Sequence, residues 1–398
     1  MKITGVKFYK TLNPIPKRGG DEWYIIKITT DEGIYGWGEI CVRKTYHTLR
    51  NALRVEIQTI AESYLIGQDP LCREKIWRTL YQKLTSHHAD LVRLGIISGI
   101  DIALWDITGK YYDAPIYQLL GGKYRDKIPS YSYIYDLTGK EDKKYFNNWL
   151  GLWLNPELSR DCAIEMKEAG FKAIKLGPIP TGDNYGCIYE PYHITSEMLG
   201  TAERTIRLIR EAVGDECEIL LGIHAQLDTS SAILFAKRLE QYDPYWFEEP
   251  VPSENAKELA KVARATTIPI ATGERLVSIF DFQRILEEDA VHIIQPDVCV
   301  CGGISELMKI TALGLPRYVP VAPHVWGGPV MAAASIHLAT TIPNLLIQEC
   351  IFKMDGNYDL YLREPLHTHW KDGFVFPLEG PGLGIDLDEK ALEKYGGE

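Results

Sequence analysis

Along much of this chain, short apolar runs stop abruptly at a polar residue and give way to amphipathic stretches. The stops fall in Ala173-Ile174-Lys175, Leu221-Gly222-Ile223-His224, Trp246-Phe247-Glu248-Glu249-Pro250, Ala271-Thr272-Gly273-Glu274, Ile294-Gln295-Pro296-Asp297, Val321-Ala322-Pro323-His324 and Ile347-Gln348-Glu349. From His224 through Glu248, Glu274, Asp297 and His324 to Glu349 the intervals are 24, 26, 23, 27 and 25 residues. That interval suits one strand, one helix and two turns, the unit of a (β/α)8 barrel. The apolar runs predict strands at 128–133, 173–176, 218–222, 246–248, 268–271, 292–295, 319–321 and 345–348. The helices predicted between them include 160–168, 201–213, 230–240, 256–265 and 280–287. In a barrel the C-terminal strand ends share one face, so carboxylates, two histidines and a lysine distant in sequence would meet in one pocket.

The first third follows another pattern. Residues 3–9, 23–29 and 34–37 alternate or carry β-formers, with Asp31-Glu32-Gly33 as a hairpin turn. Helical periodicity follows at 48–65, 72–84 and 91–110. Antiparallel strands followed by helices predict an α+β domain over residues 1–125. The barrel then takes 126–354, and the Gly- and Pro-rich tail, 355–398, packs back on the first domain. The connection 178–196, rich in Gly, Pro and Tyr, is longer than a plain turn and reads as a site-covering or interface segment.

Composition narrows the class. A net charge of −11 argues against nucleic acid or an anionic membrane surface as the main partner, while a local field can still bind an anionic small molecule. The eight cysteines form no disulfide framework, and Cys299-Val300-Cys301 has no second pair to make a metal site. They read as reduced thiols of a cytoplasmic protein. The opening Met1-Lys2-Ile3-Thr4 lacks a signal peptide's apolar core, and no apolar run approaches the ~18 residues of a membrane span.

The strand-end motifs, together with Ile97-Ser98-Gly99-Ile100-Asp101-Ile102-Ala103-Leu104-Trp105-Asp106-Ile107-Thr108-Gly109-Lys110 and Leu119-Leu120-Gly121-Gly122, resemble the enolase superfamily. The likeness covers nearly the whole chain. It is to the mandelate racemase/muconate lactonizing enzyme branch, and most of all to its acid sugar dehydratases of galactonate and mannonate type. The resemblance implies an α+β capping domain on a (β/α)7β modified TIM barrel, with Mg2+ and removal of a proton next to a carboxylate. It also implies a sugar acid as the small-molecule partner and self-association into a homo-oligomer.

Chemistry explains such a site. A proton beside a carboxylate is so weakly acidic that the developing enediolate needs a cation as it forms. Glu248 and Glu274 match two of the family's three Mg2+ ligands. At the third position this chain has Gly222, so the site is weakened. Water could fill the gap, His224 could enter as a nitrogen ligand, or metal and activity could be lost. Restoring the carboxylate by Gly222→Asp is expected to tighten Mg2+ binding.

His324 and Asp297 match the family's His–Asp dyad, with His324 as general base; the bland alternative for Asp297 is a helix cap for the segment opening at Gly302. His224 keeps the position of the acid that protonates a departing hydroxyl, although Ala225-Gln226 follow where the relatives carry His-Gly-Arg. Lys175 is the first lysine of the branch's K-x-K motif, but Gly177 replaces the second, which disfavours racemisation. Lys175 could orient the substrate carboxylate or form an ordinary buried salt bridge. Glu349 matches an acid that hydrogen-bonds the enediolate, a role that requires a raised pKa. Arg18, in the charged loop 16–21, and Trp326 are candidate substrate contacts, and Tyr46-His47 and Ser86-His87-His88 are further cap loops in reach. Adjacent histidines seldom share an ion, so the His87-His88 pair reads as solvated loop. The reading is a Mg2+-dependent aldonate dehydratase yielding a 2-keto-3-deoxy acid. Its rivals are an epimerase or racemase, and an inactive barrel with impaired metal binding.

Overall fold

The computed structural model describes residues 1–13, 18–41, 50–135, 149–179, 192–351 and 357–396. The N-terminal part is a three-stranded antiparallel sheet, β1 (Ile3–Leu12), β2 (Glu22–Thr30) and β3 (Tyr35–Ile40), in that order. Beneath it lie α1 (Arg50–Ile60, continued by a π-helical turn to Leu65), α2 (Arg73–Thr85) and α3 (Leu91–Tyr111). Asp90 caps α3 by accepting from the amides of Val92 and Arg93. Nearly the whole of α3 is buried, one side against β3, where the backbones touch. A Cβ on Gly38 would lie 1.9 Å from the Gly99 oxygen.

The rest alternates strands and helices: β4 (Ile128–Tyr133), α4 (Pro156–Glu168), β5 (Ala173–Leu176), α5 (Ser196–Val213), β6 (Glu218–Gly222), α6 (Thr229–Leu239) and β7 (Trp246–Glu248). There follow α7 (Ala256–Ala265), β8 (Ile270–Thr272), α8 (Ser278–Glu287), β9 (Ile293–Ile294), α9 (Gly303–Gly314), α10 (Pro329–Thr341) and β10 (Gln348–Glu349). Strands β4 to β9 pair in parallel, each with the next. Val321 bridges to Ile294 on one side and Leu345 on the other, and β10 pairs with β4. This is the barrel-like sheet of the (β/α)7β fold with a capping subdomain.

Differences from the sequence reading are local. The run at 319–321 contributes a single bridging residue, Val321, and the strand expected from 345 is regular only at Gln348–Glu349. The helix α10 is buried on every side, its Ser335, His337, Thr340 and Thr341 included, so it carries no amphipathic period. In the tail, Leu383 N donates to Asp106 of α3 at 2.9 Å and Trp37 Nε1 donates to Asp386 at 3.0 Å. Among the described residues no helix is long and apolar enough to cross a membrane.

Candidate active site

The barrel-like interior is built in two layers. Tyr131, Ala173, Leu220, Trp246, Ala271, Ile293, Ala322 and Ile347, one per strand or strand-like run, form a single apolar cluster. Side chains two residues apart on a strand point the same way. The next inward positions are therefore Tyr133, Lys175, Gly222, Glu248, Gly273, Gln295, His324 and Glu349. Aromatic and aliphatic residues fill the lower layer, and charge is gathered above it. Gly273 breaks the count: its φ is 150°, and a Cβ there would lie 2.7 Å from the Gln295 backbone. Glu274 takes its place in the upper layer.

These residues touch. His324 Nδ1 lies 2.7 Å from Asp297 Oδ2, and its Nε2 lies 3.4 Å from Glu274 Oε2. A backbone bridge between positions 297 and 324 sets the first contact. The other Asp297 oxygen accepts from Cys299 N at 2.8 Å. Helix α9 is capped instead at Gly302, with no side-chain cap bond, so Asp297 is not its cap. Burial opposes charge on His324, but Glu274, Asp297 and Glu349 outweigh it and raise its pKa to about 9.

Lys175 is wholly buried, with Nζ 2.5 Å from Glu248 Oε1 and 3.8 Å from Glu349 Oε1. Burial works against its charge, yet Glu248, with Tyr131, Tyr133 and Glu349, holds its pKa well above the ordinary lysine value. Glu349 is pushed up by burial, partly offset by Lys175 and His324, and its Oε2 accepts from Val325 N at 2.7 Å. His224 is partly buried on the same rim. It and Ala225 adopt left-handed backbone, φ 56° and 61°, and Ala225 N is tied to Glu249 O at 2.7 Å. Two such residues in a row cost roughly 1–3 kcal/mol each, a strain common at functional sites.

Trp326 packs edge-on to Tyr133 at 5.8 Å, and Tyr133 in turn lies 4.7 Å from Lys175 Nζ. The Arg18 guanidinium stacks 3.7 Å over Tyr135, which neighbours Tyr133 at 6.1 Å. Both candidate contacts thus join the aromatic wall beside the charged layer. His87 and His88 are exposed at the end of α2. Tyr46-His47 and most of the 178–196 connection lie outside the described residues.

Four partners escaped the sequence reading. Gln295 Nε2 donates to Glu248 Oε2 at 2.6 Å. Its signal was its place two residues before Asp297, the inward position of that run. Arg275 pairs with Glu249 and lies 3.4 Å from Glu274. Tyr131 and Tyr133 flank Lys175.

The comparisons agree with this architecture. Residues 157–391 match the family model "Enolase C-terminal domain-like", and residues 16–121 match "Mandelate racemase / muconate lactonizing enzyme, N-terminal domain". The chain belongs to the mandelate racemase/muconate lactonizing enzyme branch of the enolase superfamily. It is 35% identical over 396 residues to a D-galactonate dehydratase of Pectobacterium atrosepticum, covering 98% of this chain and 94% of that one. Among solved structures it is similar to a mandelate racemase/muconate lactonizing enzyme from Jannaschia sp. CCS1, with TM-score 0.91, 32% identity and coverage of 100% and 98%. Another, from Sulfitobacter sp., gives TM-score 0.89 and 33% identity, covering 99% and 95%.

Superfamily membership points to a Mg2+-dependent mechanism, and the side chains test that. Mg2+ prefers near-octahedral oxygen donors. Glu248 and Glu274 could supply two. Gly222 supplies none, and both Glu248 oxygens already face N–H donors, Lys175 and Gln295. Among the described residues no group of three or more His, Cys, Asp or Glu side chains is arranged to hold a metal ion. The residues present do not fit a three-carboxylate site.

Proposed function

We propose that this chain is an acid sugar dehydratase, a hydro-lyase acting on an aldonate. The observation that carries the reading is the His324 ring held between Asp297 at 2.7 Å and Glu274 at 3.4 Å, on the rim shared with Lys175 and Glu349. The similarity to a D-galactonate dehydratase supports the substrate class.

In this proposal His324, in its neutral form, takes the proton from C2 of the sugar acid. The raised pKa makes it a strong acceptor, at the expense of the neutral fraction near pH 7. Charge then moves onto the substrate carboxylate, where the Lys175 ammonium attracts it and the Glu349 carboxylic acid can donate a hydrogen bond. His224 protonates the hydroxyl on C3, the C3–O bond breaks and water leaves. The enol left behind tautomerises to a 2-keto-3-deoxy acid. Gly177 leaves the opposite face of C2 without the branch's second lysine, which favours elimination over racemisation.

The test is incubation with a panel of aldonic and aldaric acids, with and without Mg2+, and assay of 2-keto-3-deoxy products. Turnover of at least one acid is expected, and His324→Ala should lower it by roughly 10²–10⁴-fold. Solvent deuterium entering C2 without loss of water would replace elimination with racemisation. No turnover of any acid would leave the inactive-barrel reading standing.

A further inference from the structure

The departure from the family pattern at Gly222 and the pairing of Lys175 with Glu248 have one spatial explanation. Strands β5 and β6 pair with Lys175 opposite Leu220, so the lysine side chain leans toward Gly222, two residues further along the same face. A Cβ on Gly222 would lie 2.6 Å from Lys175 Cε and 3.6 Å from both Lys175 Nζ and Glu248 Oε1. The stem of the lysine therefore crosses the bare Cα of Gly222, through the space a longer side chain would fill. Its ammonium sits 2.5 Å from Glu248 and 3.8 Å from Glu349, with the rings of Tyr133 and Tyr131 at 4.7 and 5.6 Å. Carboxylates and aromatic faces together make a cage for a single positive charge.

We infer that the Lys175 ammonium is the resident cation of this site, standing in for a divalent ion, and that Gly222 is the vacancy in side-chain volume that admits it. The Lys175 ammonium gives Glu248 the positive partner that a metal ion would otherwise supply. On this inference the outcome for Gly222→Asp differs from the one expected above: its Cβ would lie 2.6 Å from Lys175 Cε and 3.6 Å from Nζ, so the new carboxylate pairs with the ammonium rather than with a metal ion. The inference rests on the proposed function for its chemical meaning, since the ammonium then neutralises charge arriving on the substrate carboxylate.

The test needs no substrate. Wild-type protein is titrated with Mg2+ by calorimetry and with Mn2+ by electron paramagnetic resonance, and compared with Gly222→Asp and Lys175→Ala/Gly222→Asp. The wild type and Gly222→Asp are expected to show no saturable site up to roughly millimolar ion, whereas the double variant gains one, about tenfold tighter or more. Stoichiometric submillimolar binding by the wild type overturns the inference. So does a site gained equally by Gly222→Asp alone, or a natively folded double variant that binds no better. Should the double variant not fold, the wild-type titration decides. Finding no substrate counts against the proposed function alone and leaves these titrations to judge the cation.

Discussion

Asp297 divides its two oxygens between two donors, Cys299 N at 2.8 Å and the His324 ring at 2.7 Å. That division fixes what Asp297→Asn would do. The asparagine oxygen must stay on the Cys299 amide, so its NH2 turns to His324 Nδ1 and forces that nitrogen to accept. The ring proton then moves to Nε2, the atom proposed to take the substrate proton. We expect kcat to fall by roughly 10²–10⁴-fold, with KM and the thermal midpoint little changed, read by steady-state kinetics and calorimetry. An asparagine variant as active as the wild type would remove Asp297 from the chemistry. His324, Asp297, Glu248 and Glu274 were legible as candidates because each ends an apolar run. Their partners were less so. Which oxygen meets Gln295, and that Lys175 crosses Gly222, depend on strand register, which no single run carries.

At the scale of elements, amphipathicity helped legibility but did not decide it: α3, buried almost throughout, was still found within a residue of its ends. Helices such as α7 and α5 show one apolar stripe and were found within a few residues of their ends. Helix α10 shows none, because barrel and cap cover it on all sides, and its apolar run gave no period to read. Glycines carry a second kind of information, closeness of backbones. At Gly38→Ala the new methyl would meet the Gly99 oxygen at 1.9 Å and the Gly99 carbonyl carbon at 2.8 Å. Backbone atoms cannot rotate away, so β3 and α3 must separate. A loss of about 3 kcal/mol is expected from denaturant midpoints. Gly200→Ala is the control: it lies within α5, a Cβ there meets nothing within 4 Å, and helix propensity should stabilise it by about 1 kcal/mol. Equal effects of the two changes would contradict the close packing of β3 on α3.

Across the whole molecule, α10 is the joint between cap and barrel, and it is fastened by groups from outside its own strand–helix unit. At its N-terminus Glu39 of β3 accepts from Gly328 N at 2.5 Å and Met331 N at 3.0 Å. At its C-terminus Arg125 donates to the carbonyls of Ala339 and Ile342. On its flank His337 Nδ1 accepts from Tyr117 N at 3.4 Å. Burial raises Glu39 to about 7, aided by Asp297 and opposed by the two amides. Burial lowers His337 to about 4, with Glu379 working the other way. A carboxyl raised on folding contributes stability that is complete below its ordinary pKa of 4.5 and is lost as pH rises through about 7. A histidine lowered on folding contributes stability that is complete above 6.5 and is lost as pH falls through about 4. Each effect is of the order of 3 kcal/mol, and over the shared window they slope in opposite directions and offset one another. Single variants should expose the hidden slopes. Glu39→Gln is expected to lose stability relative to wild type as pH falls from 6.5 toward 4, and His337→Gln as pH rises from 4.5 toward 7. Thermal or denaturant unfolding at half-unit pH steps gives both differences. Parallel pH profiles for wild type and both variants would mean that neither group changes its proton affinity on folding, and the joint would then owe nothing to their ionisation.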